Sequence, residues 1–107
     1  MAEVLDVSDE SFDREVLQSD LPVLVDFWGD HCPACVQIAP ILVGLAEEHA
    51  GVAKVVRVHA ADNPRTSGKY GVRAMPTVLA FFKGAVRGQL VGARPKSAFV
   101  ELLESAR

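Results

Sequence analysis

Apolar residues along this chain alternate between short β-branched runs and longer segments with helical spacing. The runs predict five strands, at 4–5, 23–28, 53–59, 77–82 and 85–91. Apolar residues three and four positions apart predict helices that begin near Ser8, Cys32, Asn63 and Pro95. The chain therefore has a strand and a helix in alternation three times, followed by two strands and a final helix.

The second predicted strand is apolar on both faces. Val23, Val25 and Phe27 point to one side, and Trp28 points to the other. Such a strand is typical of the centre of a sheet that helices cover on both sides. Strand-helix alternation in the first half predicts parallel pairing, and the short Lys83-Gly84 connection predicts an antiparallel hairpin. We therefore expect an α/β protein with a central mixed β-sheet flanked by helices on both faces.

Length and composition limit the classes of protein that this chain can belong to. With 107 residues, half of them apolar, we expect a single domain over 1–107 with one core. A net charge of −3 without a Lys/Arg cluster argues against nucleic acid or a membrane surface as the main partner. We find no secretory signal and no apolar run near the ~20 residues of a membrane span. We expect a cytoplasmic protein, unless a leader has been removed, and a monomer by default.

The two cysteines, Cys32 and Cys35, lie where the central strand gives way to a helix. On a helix, residues three apart are neighbours, with α-carbons about 5 Å apart, which a disulfide can bridge. The partial positive charge of a helix N-terminus lowers the pKa of a thiol. We interpret Cys32, the more N-terminal and more exposed thiol, as a nucleophile, and Cys35 as the thiol that displaces it.

Two other readings of the cysteine pair are a pair of inert buried thiols and half of a zinc site. The sequence has neither a second Cys-x-x-Cys nor a His pair, so we expect no metal site within one chain. In a reducing compartment, a lone close pair is more often catalytic or metal-binding than a structural crosslink.

Asp26 interrupts the apolar central strand, on the face that it shares with Leu24 and Trp28. Burial at this position predicts a raised carboxyl pKa, in a range suited to proton transfer. From the residues alone, a buried polar group with only a structural role is an equally good interpretation.

Several short motifs, in this order along the chain, closely resemble the thioredoxin family. They are Val25-Asp-Phe-Trp28, Cys32-x-x-Cys35, Ile38-Ala-Pro40, Asn63-Pro64, Tyr70-Gly-Val72, Met75-Pro-Thr77, Lys83-Gly84 and Val91-Gly92. The resemblance covers essentially the whole chain and implies the thioredoxin fold. It also implies a thiol–disulfide oxidoreductase that reduces disulfides in client proteins and is recharged by an NADPH-dependent flavin reductase. No bound cofactor is expected, because the cysteine pair itself holds the two electrons.

The resemblance also implies roles for residues around the pair. Asp26 would accept the proton of Cys35 through a water, and Pro76 would follow a cis peptide bond that leaves the Met75 backbone free to pair with an extended substrate. The implied substrate groove is lined by Trp28, Met75, Pro76, Gly92 and Ala93. Trp28 is otherwise interpreted as a core aromatic residue.

The chain departs from the family pattern Trp-Cys-Gly-Pro-Cys-Lys, because it has His31-Cys32-Pro33-Ala34-Cys35-Val36. Ala34 supplies an N–H that proline lacks, and a protonated His31 would add positive charge near Cys32. Both would stabilise the thiolate and make the potential less negative than the roughly −270 mV of thioredoxin. Val36 acts in the opposite direction by removing a cation, and His31 can also be interpreted as a solvated loop residue.

Arg57 lies where the family often has a lysine. We expect it to pair with Asp26 and, because arginine keeps its proton, to make that carboxyl more acidic than a lysine would. Two alternative functions remain at this point. One is a disulfide oxidase or isomerase with a more oxidising potential, and the other is a non-catalytic binding or chaperone module with the same fold.

Overall fold

The computed structural model describes residues 3–107 of the chain. Its strands are β1 (Leu5–Asp6), β2 (Val23–Trp28), β3 (Lys54–His59), β4 (Thr77–Phe82) and β5 (Ala85–Val91). Its helices are a π-helical turn (Asp13–Leu17), α1 (Pro33–Glu48), α2 (Pro64–Lys69) and α3 (Lys96–Ser105). The predicted order of strands and helices is confirmed. None of the helices in this part of the chain is long and apolar enough to cross a membrane.

The five strands form one mixed sheet in the order β1-β3-β2-β4-β5, with β2 at its centre. Strand β3 pairs parallel with β1 and β2, and β4 pairs antiparallel with β2 and β5. Lys83 and Gly84 join β4 to β5 with φ values of 51° and 78°. Positive φ at both positions is what a two-residue hairpin turn requires, so the predicted hairpin is confirmed.

Two apolar clusters cover the two faces of β2, as the sequence predicts. On one face, Leu24 packs in a cluster with residues of α1 and α3, among them Ile38, Leu42, Leu45, Phe99 and Leu103. On the other face, the cluster contains Phe12, Val16, Val23, Val25 and Phe27, with Leu17 partly buried against it. Both sides of the central strand are therefore dry, and a polar side chain on either face loses most of its contact with water.

The first helix begins later than its predicted start near Ser8. Ser8 does not cap a helix with its side chain: its carbonyl accepts the N–H groups of Ser11 and Phe12, and its hydroxyl lies 3.3 Å from the Ser11 hydroxyl. The π-helical turn begins only at Asp13. Helix α1 ends at Glu48, before Gly51, which has a φ of 83° in the turn that follows.

Asp9 supplies the cap of α2, a contact that the sequence does not predict. Its Oδ1 accepts the Thr66 N–H at 2.8 Å and the Thr66 hydroxyl at 2.6 Å, and its Oδ2 accepts the Arg65 N–H at 3.2 Å. Asn63 occupies the N-cap position, but its side chain instead accepts the Asp9 N–H at 2.8 Å. These bonds join the segment after β1 to the start of α2, next to the carboxyl end of β3.

We predict that Asp9→Ala lowers the free energy of unfolding by about 1 kcal/mol at pH 7, because it removes the cap of α2. Partial burial raises the pKa of Asp9, but the hydrogen bonds from Thr66 and Arg65 outweigh it and lower the pKa below its usual value. The stabilisation is therefore present above the unfolded-state pKa and is lost as the pH falls through the folded-state pKa. Urea unfolding of the unmodified chain and the variant measures this loss of free energy at pH 7, where it should be present, and at pH 2, where it should be absent.

Glu10→Ala is the matched control, since Glu10 is the next residue and is exposed. It should leave the free energy of unfolding unchanged within about 0.5 kcal/mol. An equal loss for both variants, or a loss for Asp9→Ala that persists at pH 2, would contradict the capping role.

Candidate active site

The cysteine pair lies at the N-terminus of α1, where Cys32 is the N-cap and Pro33 is the first helical residue. Proline suits this position, because the missing N–H would have no partner inside the helix. The two cysteines form a disulfide with α-carbons 5.3 Å apart, and the Cys35 N–H donates to the Cys32 Sγ at 3.1 Å. Cys32 is half-buried and Cys35 is buried, as the sequence predicts. The more accessible sulfur therefore also receives the helix amide.

The residues predicted to tune the pair differ in their contacts. Within residues 3–107, the N–H that reaches the Cys32 Sγ is that of Cys35. The Ala34 N–H, expected from the sequence, makes no such bond, because this cap uses the third residue after the N-cap. His31 is exposed, with a φ of 52°, and Val36 is 74% exposed. Of the features predicted to tune the sulfur, the start of α1 contacts it directly through the Cys35 N–H.

Asp26 is the buried titratable group of the site, with 5% of its surface exposed. Its Oδ1 has no hydrogen-bond partner in the part of the chain that the structure describes. Burial raises its pKa to about 7, and the positive charge of Arg57 offsets part of that rise. The predicted upward shift of the pKa is confirmed. A carboxyl with this pKa can both take up and release a proton near neutral pH.

Arg57 does not pair with Asp26, which corrects the sequence prediction. The two residues are opposite each other in the β2–β3 register, but the Arg57 Nε lies 2.9 Å from Oδ1 of Asp6. The guanidinium carbon lies 4.2 Å from the centroid of the Trp28 ring. Asp6 is far more exposed than Asp26, so an ion pair there requires less desolvation of the two charges.

A cleft of about 600 Å³ lies beside the disulfide. Its walls include both cysteines, Asp26, Trp28 and Arg57. The structure therefore brings the predicted thiols together with the predicted proton acceptor. A cleft of this size has room for a water molecule to link the Asp26 carboxyl to a cysteine sulfur.

The other predicted substrate-binding residues lie before β4 and after β5, and Met75 is the one next to Cys32. The Met75–Pro76 peptide bond is cis, as the resemblance implies, and the Met75 carbonyl oxygen lies 3.6 Å from the Cys32 Sγ. Gly92 donates its N–H to the Pro76 carbonyl at 2.9 Å, and the exposed Ala93 follows it. The lining of the cleft beside the disulfide includes Trp28 but none of these four residues.

His59 is a residue of this region that the sequence analysis missed. Its ring packs edge-on against Trp28, with centroids 4.5 Å apart. Its Nε2 lies 3.0 Å from an oxygen of Asp30, and its Nδ1 lies 3.2 Å from an oxygen of Asp62. His59 lies between two carboxylates, but these three side chains do not have the arrangement of a metal site. Residues 3–107 contain no group of three or more His, Cys, Asp or Glu side chains that could hold a metal ion. The register of β2 and β3, which pairs Trp28 with His59, was the signal that the sequence lacked.

Comparisons with known proteins agree with this architecture. The family model for thioredoxin matches residues 3–105. Thioredoxin 1 from Nostoc sp. is 40% identical over 104 residues, which is 97% of each chain, and the thioredoxin from Haemophilus influenzae is 42% identical over 103 residues, which is 96% of each chain. The chloroplastic M-type thioredoxin of Pisum sativum is 44% identical over 102 residues, which is 95% of this chain and 59% of the pea protein.

We predict that His59→Ala moves the fluorescence maximum of Trp28 to longer wavelength, because the ring that covers one edge of the indole is lost. Trp28 is the one tryptophan of the chain, so the signal has a single source. The lost aromatic contact should also reduce the free energy of unfolding by about 0.5–1.5 kcal/mol. Emission spectra and urea unfolding measure the two effects.

His49→Ala is the matched control, because the His49 Nδ1 contacts the Leu45 carbonyl at the end of α1 instead. It should leave the emission maximum of Trp28 unchanged. An unchanged spectrum in His59→Ala, or the same spectral shift in both variants, would show that His59 does not hold Trp28.

Proposed function

We propose a catalytic cycle for this chain, which belongs to the thioredoxin family and is a thiol–disulfide oxidoreductase that reduces disulfides in proteins. The observation that carries the cycle is the Cys32–Cys35 disulfide at the start of α1, with Cys32 the more accessible sulfur. In the reduced state, that sulfur is the one a client disulfide can reach.

In the first step, the Cys32 thiolate attacks one sulfur of the client disulfide. A bond forms between Cys32 and the client, the client disulfide breaks, and the other client sulfur leaves as a thiolate that takes a proton from water. The N-terminus of α1 and the Cys35 N–H favour negative charge on Cys32 and so increase the thiolate fraction before the attack.

In the second step, Cys35 loses its proton and attacks the Cys32 Sγ. The bond between Cys32 and the client breaks, and the second client sulfur leaves as a thiolate and is protonated. Asp26 accepts the proton of Cys35 through a water in the cleft that both residues line. In total, two electrons pass from the chain to the client, the two client sulfurs take up two protons from water, Asp26 releases the Cys35 proton to water, and the chain is left with the Cys32–Cys35 disulfide.

The client docks beside Cys32 along the cis loop. The backbone of Met75 is next to the Cys32 sulfur, and its side chain is 40% exposed. An extended client segment would add to this backbone as a strand, with Pro76, Gly92, Ala93 and Trp28 around it. The Gly92 N–H is already bonded to the Pro76 carbonyl, which leaves the Met75 backbone as the pairing edge.

The oxidised chain must receive two electrons from outside to begin another cycle. We assign this step to a thioredoxin reductase that draws on NADPH, and the partners on the other side are disulfide-containing client proteins. Net reduction of disulfides requires a compartment that keeps thiols reduced, which supports the cytoplasm as the site of action. With a net charge of −3 and no basic cluster, the chain acts as a monomer without nucleic acid or membrane partners.

We predict that Cys35→Ser traps client proteins as mixed disulfides with Cys32, because the second thiol that releases them is gone. Non-reducing gels after incubation with a disulfide client such as insulin, followed by mass spectrometry, detect the adduct. Cys32→Ser is the matched control and should form no adduct. The absence of any adduct in Cys35→Ser would contradict the cycle, and client binding by the double Cys→Ser variant would favour a binding module instead.

We predict that Asp26→Asn lowers the rate of insulin reduction at pH 8 by roughly tenfold or more, because the proton acceptor of Cys35 is lost. With a pKa of about 7, the carboxyl gains its accepting form as the pH rises through 7. The rate of the unmodified chain should therefore rise as the pH passes through 7, whereas the rate of the variant should rise only at higher pH, where Cys35 loses its proton without help. Assays with saturating reductase between pH 6 and 8.5 measure both, and equal profiles would remove Asp26 from the mechanism.

A further inference from the structure

Three charged side chains lie in a row across the sheet. The strand register pairs Asp6 on β1 with Arg57 on β3, and Arg57 with Asp26 on β2. Side chains at paired positions of neighbouring strands lie on the same face. The Asp6 and Arg57 side chains are 82% and 36% exposed, whereas Asp26 is 5% exposed. One cation thus lies between an exposed carboxylate and a buried one.

The guanidinium of Arg57 contacts the exposed carboxylate. Its Nε lies 2.9 Å from the Asp6 Oδ1, but the N–H is not aligned with that oxygen, so the contact is an ion pair without a hydrogen bond. The same guanidinium lies against the face of Trp28. Each contact is weak, since exposed ion pairs and cation–π contacts contribute about 0–1 kcal/mol each, but both hold the cation in the same place.

We propose that Asp6 is a positioning residue for proton transfer, because it holds the Arg57 guanidinium over Trp28 and away from the Asp26 carboxyl. The proposal rests on the role of Asp26 proposed above. Arginine has a long side chain that reaches either neighbour in the row. Without Asp6, the cation turns to Asp26, and a carboxylate that is paired with a cation binds a proton less tightly.

The other charged or titratable groups around Asp26 affect its proton affinity less than Arg57 does. The titratable or charged side chains that share its cleft, besides Arg57, are Cys32, Cys35, Asp30 and His31. Asp30 is 69% exposed and already contacts His59, and His31 is exposed. On β4, the residue paired with Asp26 is Val78, which carries no charge. Arg57 is therefore the charge whose movement changes the proton affinity of Asp26 most.

The test is the titration of the Asp26 carboxyl carbon by NMR in the oxidised full chain. Asp6→Asn should lower the pKa of Asp26 by about one unit, the lower end of what a close opposite charge produces. Arg57→Met raises the pKa by removing the cation. In the Arg57→Met background, Asp6→Asn should shift the pKa by at most about 0.3 unit, because only the screened charge of an exposed group then changes.

Asp62→Asn is the matched control, because Asp62 is also 82% exposed but pairs with His59 and not with Arg57. It should leave the pKa of Asp26 unchanged. An unchanged pKa in Asp6→Asn, an equal shift in both Arg57 backgrounds, or an equal shift in Asp62→Asn would overturn the proposal. The titration measures proton binding by Asp26 whether or not Asp26 takes part in catalysis. The catalytic role of Asp26 is tested separately, by the rate of the Asp26→Asn variant.

Discussion

The beginning of helix α1 is the constraint on which the rest of this protein depends. The chain leaves the central strand at Trp28 and starts the helix at Pro33, with Cys32 at the N-cap. An N-cap side chain ordinarily satisfies a free amide of the first turn with an oxygen, and here a sulfur does so. The hydrogen bond that caps the helix is thus also a contact that favours negative charge on the Cys32 sulfur, so the start of the helix and the environment of this sulfur depend on one contact.

The central position of β2 determines the environment of Asp26. Because apolar clusters cover both faces of the strand, Asp26 loses most of its hydration, and desolvation brings its pKa to about 7. The same burial makes the ionised carboxyl unfavourable, so the folded state is less stable when Asp26 loses its proton. The protein therefore gives up some stability to hold a carboxyl with a raised pKa in the cleft that Cys35 also lines.

Around this buried group, the structure pairs Arg57 with an exposed carboxylate, and the described residues give the buried Asp26 no ion pair. Arg57 is paired with Asp6, and His59 lies between Asp30 and Asp62. The Trp28 ring contacts both Arg57 and His59, and both Trp28 and Arg57 line the cleft of the cysteines. Ion pairs form most readily where water still solvates both partners, which explains why Arg57 pairs with the exposed Asp6.

The sequence by itself determined the features that depend on neighbouring residues. An apolar run with two apolar faces fixed β2, and the short Lys83-Gly84 connection fixed the β4–β5 hairpin, whose strands have the bounds predicted. Proline after Cys32 fixed the start of α1, and a carboxyl within an apolar strand was enough to predict a raised pKa for Asp26.

Only the tertiary structure decided which partners the polar side chains take. In the folded chain, Arg57 pairs with Asp6, Asp9 caps α2, and His59 lies between two aspartates. Apart from the His59–Asp62 contact, which is between residues three apart, these contacts join segments far apart in the chain. Their strength depends on the strand register and on how much water remains at the contact. Neither quantity is encoded in a local pattern, because both exist only once the strands have paired.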